Sequence, residues 1–172
     1  MNPINTDAEQ KVIQDAIRKY NSYGEEWEKA YFDKFSGGFN VYHEKHNFAK
    51  KGGGGAAEKT VGEILAKYNG KQVEFLPEGE GKKPDVLFDN QTWDIKYIDN
   101  ANEKTIRGYI EDIRKKEADC GIFYWENENK IEYLRNAIES EIGKLLKLGR
   151  INEMPDIYHI DKSGLLRTAW KK

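Results

Sequence analysis

The stretch Thr92-Trp-Asp-Ile-Lys-Tyr-Ile98 constrains this chain more than any other. Side chains along a strand alternate between faces, so a strand here sends Trp93, Ile95 and Tyr97 one way and Asp94 and Lys96 the other. The apolar set is ready for burial, while the charged set converges on the opposite side. Two short strand-like runs precede it, Gln72-Val-Glu-Phe-Leu76 and Asp85-Val-Leu-Phe88, separated by Pro77-Glu-Gly-Glu-Gly81 and Asp89-Asn90. Connections this short predict an antiparallel meander of three strands.

The flanking segments complete an α/β pattern. Before the meander, Ala56 to Tyr68 reads as an amphipathic helix with Ala57, Val61, Ile64, Leu65 and Tyr68 inward, ended by Asn69-Gly70. After it, Ile106, Ile110 and Ile113 mark a helix from about residue 102 to 116, and the apolar run Gly121-Ile-Phe-Tyr-Trp125 predicts a buried strand of parallel type. A helix carrying Ile131, Leu134, Ile138, Ile142 and Leu145 follows, and Asp161-Lys-Ser-Gly164 joins Asp156–Ile160 to Leu165–Trp170 as a terminal hairpin. At the other end, apolar spacings near three and four predict two helices between about residues 7 and 35, parted by Gly24. Phe39 to Phe48 alternates too poorly to predict a strand, and Lys50-Lys51 with four glycines reads as a flexible joint. The expected organisation is an N-terminal helical extension over residues 1–51 and one α/β domain over 52–172.

Composition limits what the charged strand face can mean. With 172 residues the chain can bury a real core, and a hydrophobic fraction of 38% spreads the 34% of charged residues over a solvated surface. One cysteine, Cys120, excludes an internal disulfide and a cysteine-based zinc site. No run has the length of a membrane span and the N-terminus lacks signal-peptide features, so the expectation is a chain with no membrane partner, exported only by a carrier. A net charge of −2 argues against coating nucleic acid non-specifically but is compatible with a local basic groove.

Two acids and a lysine on neighbouring strands are costly unless paired or bound to a cation. Pro84-Asp85 opens one strand and Asp94-Ile95-Lys96 lies in the next, so Asp85, Asp94 and the Ile95 carbonyl offer half the oxygen shell of Mg²⁺ or Mn²⁺, and Lys96 remains for catalysis. The helix before the meander offers a third carboxylate. Glu58 precedes Val61 by three residues and Leu65 by seven, on the buried stripe, whereas Glu63 shares the opposite face with Lys59 and Lys67. Glu58 is the expected ligand.

At this point the chain resembles the PD-(D/E)xK nuclease superfamily: a helical Glu58, Pro84-Asp85, then Asp94-Ile95-Lys96, on a helix, three-strand meander, helix, strand core from about Ala56 to Trp125. More narrowly, Ala56-Ala57-Glu58-Lys59 after glycines, Leu76-Pro77-Glu78, Lys83-Pro84-Asp85 and Trp93-Asp94-Ile95-Lys96 are similar to C-terminal nuclease domains of contact-dependent growth inhibition toxins and phage-associated polymorphic toxins, several of which cleave transfer RNA. The resemblance implies a metal-dependent nuclease toxin with Glu58, Asp85, Asp94 and Lys96 as its catalytic set and the three carboxylates as its metal ligands. It further implies delivery by a larger bacterial carrier, action in the target-cell cytoplasm on RNA, most of all tRNA, and neutralisation by a cognate immunity protein. The competing readings are a DNA endonuclease of the same fold and a non-catalytic interaction domain.

Several side groups remain for substrate contact. Lys82, Lys83 and Arg107 are candidates for a phosphate-binding groove, and Arg114, Lys115 and Lys116 fit either that groove or a solvated helix face. His43 and His46, three apart, are candidate RNA-contacting or acid–base groups. His159 alternates with apolar neighbours and reads as structural.

Overall fold

A computed structural model of the chain describes residues 6–49, 53–79 and 83–172. The two-residue link Asp89-Asn90 sets the geometry of the centre. Both residues have positive φ, 51° and 57°, as a tight hairpin turn requires, and both are of the short polar kind that tolerates it. The turn joins β4 (Val86–Phe88) to β5 (Gln91–Tyr97) and pairs Phe88 with Gln91 and Val86 with Trp93. That register carries Asp85 to the level of Asp94.

The fold is α/β. Eight strands form one mixed sheet in sequence order: β1 (Trp27–Phe32), β2 (Phe39–His43), β3 (Gln72–Phe75), β4, β5, β6 (Cys120–Tyr124), β7 (Asp156–Ile160) and β8 (Leu166–Trp170). The meander β3–β4–β5 is antiparallel, β6 is parallel to β5, and β7–β8 is a hairpin, each as the sequence predicts. Helix α2 (Gly54–Asn69) connects β2 to its parallel neighbour β3, while α3 (Glu103–Lys115) and α4 (Ile131–Lys147) lead into and out of β6.

Helices cover both faces of the sheet. On one, Ala57, Val61 and Leu65 of α2 pack among Phe75, Val86, Phe88, Trp93, Ile95 and Ile122. On the other, Ile106, Ile110 and Ile113 of α3 and Leu134, Ala137 and Leu145 of α4 enclose Phe123 and Ile157. Each isoleucine of α3 is fully buried, a gain of roughly 1.5–3 kcal/mol apiece. Cys120 is a buried core residue with no disulfide.

The N-terminal segment departs from the two-helix expectation. Helix α1 (Asp7–Ser22) forms, closed by a capping box between Thr6 and Glu9, but residues 27–32 are strand β1 and residues 39–43 are strand β2. The aromatic residues Trp27, Tyr31 and Phe32 favour a pleated surface, and β1 gains an antiparallel partner in β2. A register shift between Lys29 and Tyr31 breaks the alternation, which made the run look helical. Strand β2 hides its period for another reason, since Phe39 to Tyr42 are all buried. The segment is thus no purely helical extension, for its hairpin extends the central sheet through β2 and β3. Helix α1 lies on the α3 side, its Tyr20 and Tyr23 rings against Phe39 and its Lys19 3.0 Å from Glu74.

Candidate active site

Strand alternation places Asp85, Asp94 and Lys96 on the face that α3 covers, because Val86, Trp93 and Ile95 occupy the α2 face. Asp94 is fully buried and Asp85 nearly so. The two carboxyl groups lie side by side, and the Ile95 N–H donates to Asp85 Oδ2 at 3.3 Å. Burial, reinforced by the Asp85 carboxyl, pushes Asp94 well above the carboxylate range, to about 7, against the pull of Lys96 and Lys116.

Two ammonium groups balance the acids. Lys96 Nζ lies 2.8 Å from Asp94 Oδ2 and 2.7 Å from Asp112 Oδ2. Burial acts to lower the Lys96 pKa, but Asp94 and Asp112 outweigh it and hold it above its ordinary value. Lys116, the C-terminal cap of α3, places its Nζ 2.5 Å from Asp94 Oδ1 and 3.5 Å from Asp85 Oδ1. Asp112 was not singled out from the sequence, and Lys116 was weighed there only as a groove or solvated-face residue, not as a partner of the acids. Their signal is a polar stripe, Tyr109, Asp112 and Lys116 at i, i+3 and i+7, beside the apolar stripe of Ile106, Ile110 and Ile113. The Tyr109 ring stands 5.6 Å beneath Lys96 Nζ.

Glu58 occupies a different environment. It is buried while Glu63 is exposed, as the helical period predicts, but α2 packs on the opposite sheet face from Asp94. Its Oε2 lies 3.1 Å from His46 Nε2, and His46 Nδ1 lies 2.7 Å from the Leu76 carbonyl. A carbonyl only accepts, so His46 donates from Nδ1 to Leu76 and turns Nε2 toward the Glu58 carboxyl group. Leu76 in turn donates its N–H to the Asp85 carbonyl at 3.0 Å, so the two sites are joined through one backbone residue. His46 is therefore a buried partner of Glu58 and not a loop residue free to meet RNA.

The other candidates are scattered. His43 accepts the Lys45 N–H at 3.1 Å and stands edge-on to Trp27, away from the acids. Arg107 lies on α3, half-buried, and Lys83 is exposed beside Gly79. Lys82, Lys50 and Lys51 lie outside the described residues. Beside the β4–β5 turn, Lys19, Gln72, Glu74, Leu87, Asp89 and Asn90 line a polar opening that includes neither Asp85, Asp94 nor Lys96.

No family model, curated protein or solved structure matches the chain. What the site can do follows from its own atoms. Among the described residues no group of three or more His, Cys, Asp or Glu side chains is arranged to hold a metal. Two hard carboxylates do meet, Asp85 and Asp94, and Mg²⁺ is commonly held by one or two carboxylates with water and substrate phosphate supplying the rest. The charge of the pair suits a divalent cation too, since burial disfavours two adjacent carboxylates unless a cation is present. The residues present fit such an ion. No helix among the described residues is long and apolar enough to cross a membrane.

Proposed function

We propose that this chain is a Mg²⁺-dependent phosphodiesterase of the PD-(D/E)xK type, acting on RNA and most of all on tRNA as a toxin. The observation that carries the reading is the convergence of Asp85, Asp94 and Lys96 on one sheet face, with Lys116 beside the two acids. Asp85 and Asp94 would hold the ion, which when bound neutralises charge on the scissile phosphate. Lys96, held between Asp94 and Asp112, keeps its proton and presents a fixed positive charge to the phosphoryl oxygens as charge accumulates there. Glu58 acts through His46 and the Leu76 backbone, fixing the strand end that carries Asp85. The net reaction adds one water across a P–O bond and leaves a phosphate monoester and a free hydroxyl.

The toxin reading adds delivery by a larger bacterial carrier, action in the target-cell cytoplasm and a cognate immunity protein. These rest on the motif resemblance alone. The test incubates the protein with total RNA and with plasmid DNA, with Mg²⁺ or with chelator, beside Asp94→Asn. Mg²⁺-dependent RNA cleavage by the unaltered chain alone is the expected result. Full cleavage by folded Asp94→Asn overturns the site.

A further inference from the structure

The Lys116 ammonium stands where a cation between two carboxylates has to stand. Its Nζ is 2.5 Å from Asp94 Oδ1 and 3.5 Å from Asp85 Oδ1, and its side chain is 16% exposed. It is the cap of α3, where the partial negative charge of the helix end favours a cation. The following residue, Glu117, has φ 55°, so the chain turns away immediately after the cap and Lys116 is the last residue of α3 directed over the sheet. Lys96 does not duplicate it. That ammonium is divided between Asp94 Oδ2 and Asp112, leaving the Oδ1 side of Asp94 to Lys116.

We propose that Lys116 is the resident counter-ion of the Asp85–Asp94 pair, and that a divalent cation binds only by displacing its ammonium. The proposal rests on the metal reading of these two aspartates. Two consequences follow from competition for the same oxygens. Lys116 sets how much metal the site needs, because binding energy is spent on breaking its ion pairs, and it keeps the metal-free domain folded by neutralising acids that would otherwise be buried together. A displaced Lys116 leaves a mobile positive charge at the rim of the site, where a substrate phosphate arrives.

Mn²⁺ binding, followed by the loss of the free-ion electron paramagnetic resonance signal, tests this without any measure of cleavage. Lys116→Met is expected to bind Mn²⁺ about tenfold more tightly than the unaltered chain, since it removes a positive competitor within contact distance. Lys116→Arg, which restores a counter-ion, is expected to stay within about threefold of the unaltered chain. So is Lys115→Met, which deletes the same formal charge one residue away from a lysine paired to Glu111. In chelator, Lys116→Met is expected to melt lower than the unaltered chain, and Mn²⁺ to raise its melting temperature by the larger increment. Lys116→Gln, which keeps a donor toward the acids, is measured in parallel should the methionine variant fail to fold, with tighter Mn²⁺ binding again expected. Equal or weaker binding by folded Lys116→Met and Lys116→Gln overturns the proposal while leaving the metal reading intact. Absence of Mn²⁺ binding by every form at millimolar concentration overturns the metal reading and this proposal together.

Discussion

Asp94 is fully buried, and that burial, reinforced by the Asp85 carboxyl group beside it, raises its pKa to about 7. At pH 8 its charge is therefore a stability cost, and Asp94→Asn is expected to melt higher than the unaltered chain, by the equivalent of about 1 kcal/mol, while losing cleavage. A lower melting temperature for that variant would show that Lys96 and Lys116 more than compensate the burial. His159 shows the opposite dependence on pH. Burial lowers its pKa, and its ring stacks on Trp125 with centroids 5.3 Å apart. The unfolded chain thus binds a proton more readily than the folded one, so this contribution is intact above the ordinary histidine range and is lost as pH falls below it. Thermal melts of His159→Phe are expected to vary less between pH 7 and pH 5 than those of the unaltered chain, and equal slopes would refute the assignment. Asp85, Asp94 and Lys96 were legible because a strand has period two and needs no knowledge of its neighbours. Lys116 and Asp112 were not, because their role arises only once α3 crosses over β5.

At the scale of elements, helix α2 shows how far a period can be read. It separates buried Glu58 from exposed Glu63 correctly, but it leaves open which sheet face the helix covers and which group Glu58 meets. If Glu58 and His46 position Asp85 as one unit, Glu58→Gln, His46→Ala and their double variant are expected to lose similar amounts of cleavage, each retaining Mn²⁺ binding. Additive losses, or loss of Mn²⁺ binding by Glu58→Gln alone, would make Glu58 a direct ligand. Gly55 tests the seating of the same helix. Glycine to alanine inside a helix usually gains close to 1 kcal/mol, yet a Cβ here would stand 1.7 Å from the Phe48 carbonyl oxygen. The clash wins, and Gly55→Ala is expected to destabilise by about 2 kcal/mol or more in denaturant melts by forcing apart α2 and the loop bearing His46. The meander was legible from its short links, and β6 from its unbroken apolar run. Strand β1 was not, since its bulge produces spacings of three and four.

On the scale of the whole molecule, the question is what the face between α1 and α3 can admit. The acids lie on the sheet face that α3 covers, and the chain as a whole carries a net charge of −2. A long duplex is held by many phosphate contacts spread along a basic surface, whereas a compact folded RNA can be gripped by a few local charges. The candidate phosphate contacts are few: Lys83 is exposed and Arg107 is half-buried on α3. Each exposed lysine that touches phosphate adds about one to the slope of log affinity against log salt. Lys83→Glu, measured on catalytically silent Asp94→Asn to prevent turnover, is therefore expected to weaken tRNA binding and to flatten its salt dependence by about one, with Mn²⁺ affinity unchanged from that of the single variant. An unaltered slope would remove Lys83 from the groove. The decisive comparison sets tRNA against plasmid DNA under one Mg²⁺ concentration. Rapid cutting of the plasmid with tRNA left whole would defeat the RNA assignment, and the Asp85–Asp94–Lys96 site would then be that of a DNA endonuclease, because the chemistry proposed for it concerns the phosphodiester and is indifferent to the sugar.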